Sequence, residues 1–87
     1  MELTEFIHLV DDIIGRLGPR LDPEQAEVIR GHSEVGDWDE AVDLLVATLV
    51  KDQNPITPVE RADLVRILED LNEPIARLDG VNMTPTE

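Results

Sequence analysis

The 87-residue chain carries 20 acids against seven Lys and Arg, a formal charge of −13, which repels nucleic acid and anionic membrane surfaces instead of attracting them. It has no Cys, so disulfides, thiolate metal sites and Cys nucleophiles are excluded. The length suits one domain burying about 60 to 65% of the surface its unfolded chain exposes, and 27 Leu, Ile and Val residues against two aromatics, Phe6 and Trp38, make an aliphatic core suited to interlocking helices.

The first residues, MELTEFIHLVDD, are acidic where a secretory leader would be basic. No apolar run approaches the roughly 18 to 20 residues that span a bilayer. A cytoplasmic protein without membrane partners is expected. Thr4 reads as the N-cap of a first helix, with Leu3, Phe6, Ile7, Val10, Ile13, Ile14 and Leu17 on one face. Glu5, His8, Asp11, Asp12 and Arg16 take the opposite face. Gly18 is expected to close the helix in a left-handed conformation, followed by Pro19.

A second helix starts at Asp22, with Pro23 at its first position, Gln25 at the capping-box position and Leu21 placed to staple against Ala26. Its apolar residues are Ala26, Val28, Ile29 and Val35, and it should end near Gly36. Asp37 is expected to cap the next helix, with Glu40 completing a capping box. That helix contains the longest apolar run, Ala41 to Val50. It is apolar over most of its circumference, leaving Asp39, Glu40 and Asp43 as a polar arc, so it should be covered on several sides as the central helix.

Asn54 precedes Pro55, which disfavours helical geometry there. Thr57, Pro58 and Glu60 then open a fourth helix with Leu64, Val65, Ile67, Leu68 and Leu71 on one side. Pro74 should break it after Asn72, and Ile75 and Leu78 continue the spacing as a short extra turn. The expected architecture is all-α: a small antiparallel four-helix bundle over residues 1–78, with 79–87 as a flexible tail.

Chemistry-bearing patterns are sparse. Glu5 and His8 have the Glu-x-x-His spacing of carboxylate-bridged di-metal bundles, but one copy on a polar face does not complete such a site. Asp37, Asp39 and Asp43 lack the Gly and final Glu of a calcium loop. His32 has no Ser or Cys nucleophile arranged with it. Ser33 lies at a helix end in Gly-His-Ser-Glu-Val, unlike the Asp-Ser-Leu helix start of acyl carrier proteins. The expectation is a non-enzymatic protein with no cofactor, metal or small-molecule substrate.

Trp38 shares a face with Ala41, Val42, Leu45 and Leu49, which predicts a core anchor with one exposed edge. Around it, Glu34, Asp37, Asp39, Glu40 and Asp43 place five acids in ten residues with no Lys or Arg among them. Acids at a helix start complement its dipole, and capping accounts for Asp37 and Glu40. Glu34, Asp39 and Asp43 are not so required, which makes this group, with Trp38, the candidate partner surface.

The stretch Glu34, Val35, Gly36, Asp37, Trp38, Asp39, Glu40 and Ala41, followed by Leu44, Leu45, Leu49, the Pro55-Ile56-Thr57 link and Glu60, resembles the MafI-like immunity proteins of bacterial polymorphic toxin systems, over roughly residues 24 to 72. Those are short cytoplasmic helical proteins. The resemblance implies neutralisation of a cognate toxin by tight binding, without a cofactor. Independently, a surplus of acids suits a basic partner such as a nuclease-type domain, whose phosphate-binding groove it can mask. A helical adaptor or regulatory module binding another protein is the alternative.

Overall fold

The computed structural model describes residues 1–84. Within them the chain forms four α-helices, α1 (Leu3–Leu17), α2 (Pro23–Glu34), α3 (Trp38–Lys51) and α4 (Pro58–Asp70), with 3-10 turns at Gly18–Arg20 and Ile75–Leu78. The predicted four-helix bundle with a short extra turn is the architecture observed. No helix among the described residues is long and apolar enough to cross a membrane.

The core is built from the predicted stripes. Phe6, Val10, Ile13, Ile14 and Leu17 of α1 meet Ala41, Val42, Leu45, Val46 and Leu49 of α3 and Leu64, Ile67 and Leu68 of α4, all buried. α3 packs most extensively on α2, and α1 on α4. α1 nevertheless meets each of the other three helices, whereas α3 and α4 stay apart and are joined through the Ile75–Leu78 turn. The hub is therefore α1, although α3 carries the run that is apolar nearly all round.

Three helices end alike. The residue after the C-cap has positive φ, at Gly36 (81°), Gln53 (56°) and Asn72 (59°). In each case its N–H and the next one fold back on the last turn: Gly36 to the Ser33 carbonyl at 3.1 Å and Asp37 to His32 at 2.8 Å, then Gln53 to Val50 at 3.4 Å and Asn54 to Leu49 at 3.2 Å. Asn72 reaches Glu69 at 3.1 Å and Glu73 reaches Leu68 at 2.8 Å. These bonds satisfy carbonyls that a helix end otherwise leaves orphaned. Gly36 stands where the sequence placed the end of the second helix.

At α1 the expectation fails. Gly18 is right-handed (φ −49°), and the chain tightens into the 3-10 turn before Leu21 donates to the Gly18 carbonyl at 3.0 Å. Leu3 begins α1 and is 62% exposed, with Glu2, not Thr4, at the cap position. Val28 and Val35 also leave the predicted apolar set: α2 buries Ala26, Ile29 and Ser33 instead. Neither Asp22 nor Asp37 makes a side-chain cap.

The tight corner after α1 delivers Arg20 to the start of α4. Its Nη1 and Nη2 donate to Oε1 and Oε2 of Glu60 at 2.8 and 2.7 Å, a bidentate pair. Glu60 itself has 0% exposure, while the Arg20 and Arg16 side chains are 41% and 45% exposed. The same carboxylate completes the predicted capping box, accepting from the Thr57 N–H at 2.9 Å while the Thr57 hydroxyl accepts from the Glu60 N–H at 3.1 Å. Asn54 adds a 2.6 Å bond to the Arg20 carbonyl. One carboxylate thus fixes two corners of the bundle.

The stretch after Leu78 is not a frayed tail over residues 79–84. Val81 is buried, Ile56 pairs with Met83 in an isolated parallel bridge, and the Thr84 N–H reaches the Ile56 carbonyl at 2.8 Å. Burying Val81 beside Leu78 and pairing the Ile56 backbone stabilise an ordered conformation that no periodicity announces. The expectation for residues 85–87 lies outside the described residues.

Leu45 has 0% exposure, and Leu45→Ala should lower stability by about 2 to 5 kcal/mol, the range for core truncations; chemical denaturation reads this directly. The hydrogen bond from Arg20, with help from the Thr57 N–H and the two guanidinium charges, holds the Glu60 carboxyl below the ordinary glutamate range against the opposing effect of burial. A carboxyl depressed in the folded state stabilises above its unfolded value, about 4.3, and loses that contribution as pH falls through the folded value. Arg20→Ala should therefore cost about 1 to 3 kcal/mol at neutral pH, with Arg16 3.9 Å away as partial replacement. The gap to the unsubstituted protein should narrow as pH falls below about 4; urea titrations at several pH values measure both.

Candidate functional site

The acidic residues singled out by sequence meet at the corner between α2 and α3. Glu34 is the last residue of α2, and Val35, Gly36 and Asp37 form the connection before Trp38 opens α3. The positive φ of Gly36 turns the chain, and an added Cβ there would sit 3.7 Å from the Trp38 ring. Glycine is needed for the backbone conformation more than for space.

Trp38 is half-buried against the core and packs edge-to-face on Phe6, with centroids 6.3 Å apart and planes at 85°. The ring is anchored on the core and partly exposed. Its position holds the first turn of α3 against α1. Glu34, Asp37, Asp39 and Glu40 are all exposed around it.

The expected capping box at this corner does not form. Asp37 has φ −94° and ψ 61°, outside the extended conformation that aims a cap side chain at the helix N–H groups, and its carboxylate meets His32 Nδ1 at 3.1 Å. The Glu40 N–H is instead taken by Asp39 Oδ1 at 2.9 Å. Asp43 is also committed within the chain: it pairs with Arg77, which reaches Glu73 at 3.1 Å on its other side. His32 and Arg77 were not legible as members of this surface. Glu73 at i,i+4 announces Arg77's nearer partner, but nothing local announces Asp43, 34 residues away.

Glu34, Asp39 and Glu40 make no ion pair among the described residues, while Arg16, Arg20, Arg30 and Arg66 are engaged by acids elsewhere and Arg77 by Asp43 and Glu73. The charge of these three acids is consequently left unpaired by the chain's own cations. In water an exposed carboxylate is well solvated, so this costs the fold little, yet it concentrates charge where a basic surface can approach.

The other patterns resolve into ordinary contacts. Glu5 of the Glu-x-x-His pair is bridged by Arg66 at 3.1 Å, and Ser33 is buried with its hydroxyl donating to Asp11 at 3.1 Å. Among the described residues no group of three or more His, Asp or Glu could hold a metal ion. A concavity of about 430 Å³ is lined by Met1, Glu5, Arg66, Glu69 and Asp70, without a hydroxyl or imidazole.

A family model described as "Family of unknown function (DUF6189)" matches residues 1–78. No curated protein and no solved structure matches the chain.

Because Arg77 is the internal counter-ion of both Asp43 and Glu73 at a partly exposed site, Arg77→Ala should cost less than about 1 kcal/mol, as surface pairs do. Thermal melts at low and high salt check this, with the difference shrinking as salt rises. A loss of several kcal/mol would mean that Arg77 holds the C-terminal turn in place by more than these pairs.

Proposed function

We propose that the chain, which belongs to the DUF6189 family of unknown function, is a cytoplasmic, non-enzymatic immunity protein that neutralises a cognate toxin domain by stoichiometric binding. The observation that carries this reading is the set of exposed, unpaired acids Glu34, Asp39 and Glu40 beside the partly exposed Trp38. Five of the seven Lys and Arg are spent on other acids, so the corner is available to a partner with a basic surface. The MafI-like pattern from Glu34 to Ala41 runs through the same corner.

Such a surface works by occupation. A toxin that grips phosphates presents Lys and Arg in a groove, and carboxylates set into it take the places of backbone phosphates. Long-range attraction mainly speeds association, up to about 10⁸ to 10⁹ M⁻¹s⁻¹ at low salt, while contacts at the desolvated centre set the dissociation rate. Trp38, rigid because Phe6 and the core hold it, supplies an apolar edge for that centre.

The test starts from the reading frame immediately upstream. If it encodes a large protein with a basic C-terminal domain, that domain's toxicity should vanish on co-expression with the chain and its activity should titrate to zero at equimolar ratio. Undiminished activity at excess chain rejects the proposal. With the partner in hand, Glu34→Lys combined with Asp39→Lys should slow association about tenfold or more at low salt and flatten its salt dependence, the fold being preserved. Stopped-flow association rates decide it, and unchanged rates at every salt concentration would move the interface elsewhere.

A further inference from the structure

The outward face of α2 is left unused by the fold. Val28 is 49% exposed and Val35, just past the last helical residue, is 80% exposed, the highest among the large apolar side chains. Seven residues, or about two helical turns, separate them, so they stand on one side of the helix. Ala26, Ile29 and Ser33 face the opposite way, into the bundle.

Between the two valines lies Gly31, exposed, with nothing within 4 Å of the position a Cβ would take. A glycine inside a helix weakens it relative to Ala. No neighbour in the fold requires that sacrifice. The result is a notch flanked one turn away on either side by a protruding valine, which is the relief that admits a close helical neighbour.

Beside the notch, Glu27 and Glu34 are exposed at the four- and three-residue steps that put them alongside Gly31, and Glu24 is exposed one turn before Glu27, whose carboxylate lies 4.0 Å from Arg30. The apolar seam therefore has an acidic border. It also runs into the corner at Gly36, whose Cβ position touches the Trp38 ring.

We infer that α2 docks an amphipathic helix of a basic protein partner. Apolar side chains of that helix seat on Val28 and Val35, its backbone approaches closest at Gly31, and its Lys and Arg residues pair with Glu24, Glu27 and Glu34. Charge selects the occupant. A second copy of this chain would set the same acids against each other across the seam, an unfavourable arrangement for a protein of net charge −13. This inference rests on the partner-binding reading above and names the helix face and the partner's chemistry.

The probe is a synthetic helical peptide with a leucine seam flanked by lysines, titrated into the uniformly ¹⁵N-labelled full chain. Amide shifts should localise to Val28, Gly31 and Val35. Gly31→Leu fills the notch while favouring helix, so that variant folds; it should weaken binding about tenfold or more, and Val35→Asp should do the same. A peptide with the same seam flanked by glutamates should not bind. Shifts centred on another face, no binding, or equal affinity of Gly31→Leu and the unsubstituted chain overturns the inference. If the chain neutralises the basic domain and Gly31→Leu does so equally well, the docking face fails while the inhibitor reading stands. If the chain fails to neutralise it yet the lysine peptide binds at the notch, the inhibitor reading fails alone.

Discussion

A buried carboxylate costs several kcal/mol in desolvation unless partners surround it, so the structure around Glu60 is constrained in a way that no aliphatic position is. Its two oxygens accept from Arg20 on one side and from the Thr57 N–H on another. Arg20 lies in the 3-10 turn after α1, and Thr57 ends the link that follows α3. Three chain segments thus have to arrive in register for one charge to be satisfied. The guanidinium side is half in water, which lowers the desolvation cost of the pair and keeps both Arg16 and Arg20 from becoming buried cations themselves. Apolar packing would tolerate several arrangements of these corners, whereas the fork geometry of arginine against a carboxylate tolerates few.

Much of the bundle was legible because its helices declare themselves by period. Phe6, Val10, Ile13 and Leu17, or Ala41, Leu45 and Leu49, recur at helical spacing and are buried. Thr57, Pro58 and Glu60 read correctly as a helix start since that signal is local. The same three letters hid the larger role of Glu60, whose partner Arg20 is 40 residues distant. Asp37 and Glu40 have the composition of a capping box without its backbone angles, and composition alone does not fix ψ. Val81 joins the core from an irregular segment, where no spacing rule reaches. In the candidate site, the exposure of Asp39 and Glu40 followed from the polar arc, but Asp43's pairing with Arg77 is a tertiary fact.

The distribution of cations decides how the surplus of acids is felt. Arg16 and Arg20 gather at Glu60, Arg66 bridges α4 to α1 through Glu5, and Arg77 clasps α3 to the C-terminal turn through Asp43. Each of these cations links separate elements, so positive charge here acts as mortar between helices. At the α2–α3 corner only Asp43 receives any of it, from Arg77; the rest is held by other means: Gly36, the edge-to-face contact of Trp38 with Phe6, and the His32–Asp37 contact. Glu34, Asp39 and Glu40, which make no ion pair among the described residues, can meet an oppositely charged neighbour without first breaking an internal one.

Gln53 stands in the left-handed region that usually favours glycine or asparagine. Its side chain explains its tenure: Nε2 donates to the Val50 carbonyl at 2.9 Å, while Oε1 and the backbone carbonyl accept from Asn82 at 3.0 and 3.2 Å. The residue that closes α3 is therefore also the peg on which the strand-like segment around Met83 hangs. Replacing it by glycine would relax the backbone and, in the same step, remove the Oε1 attachment of Asn82 while the backbone bonds at Ile56 remain, so local comfort and part of a long-range attachment are traded against each other at a single position.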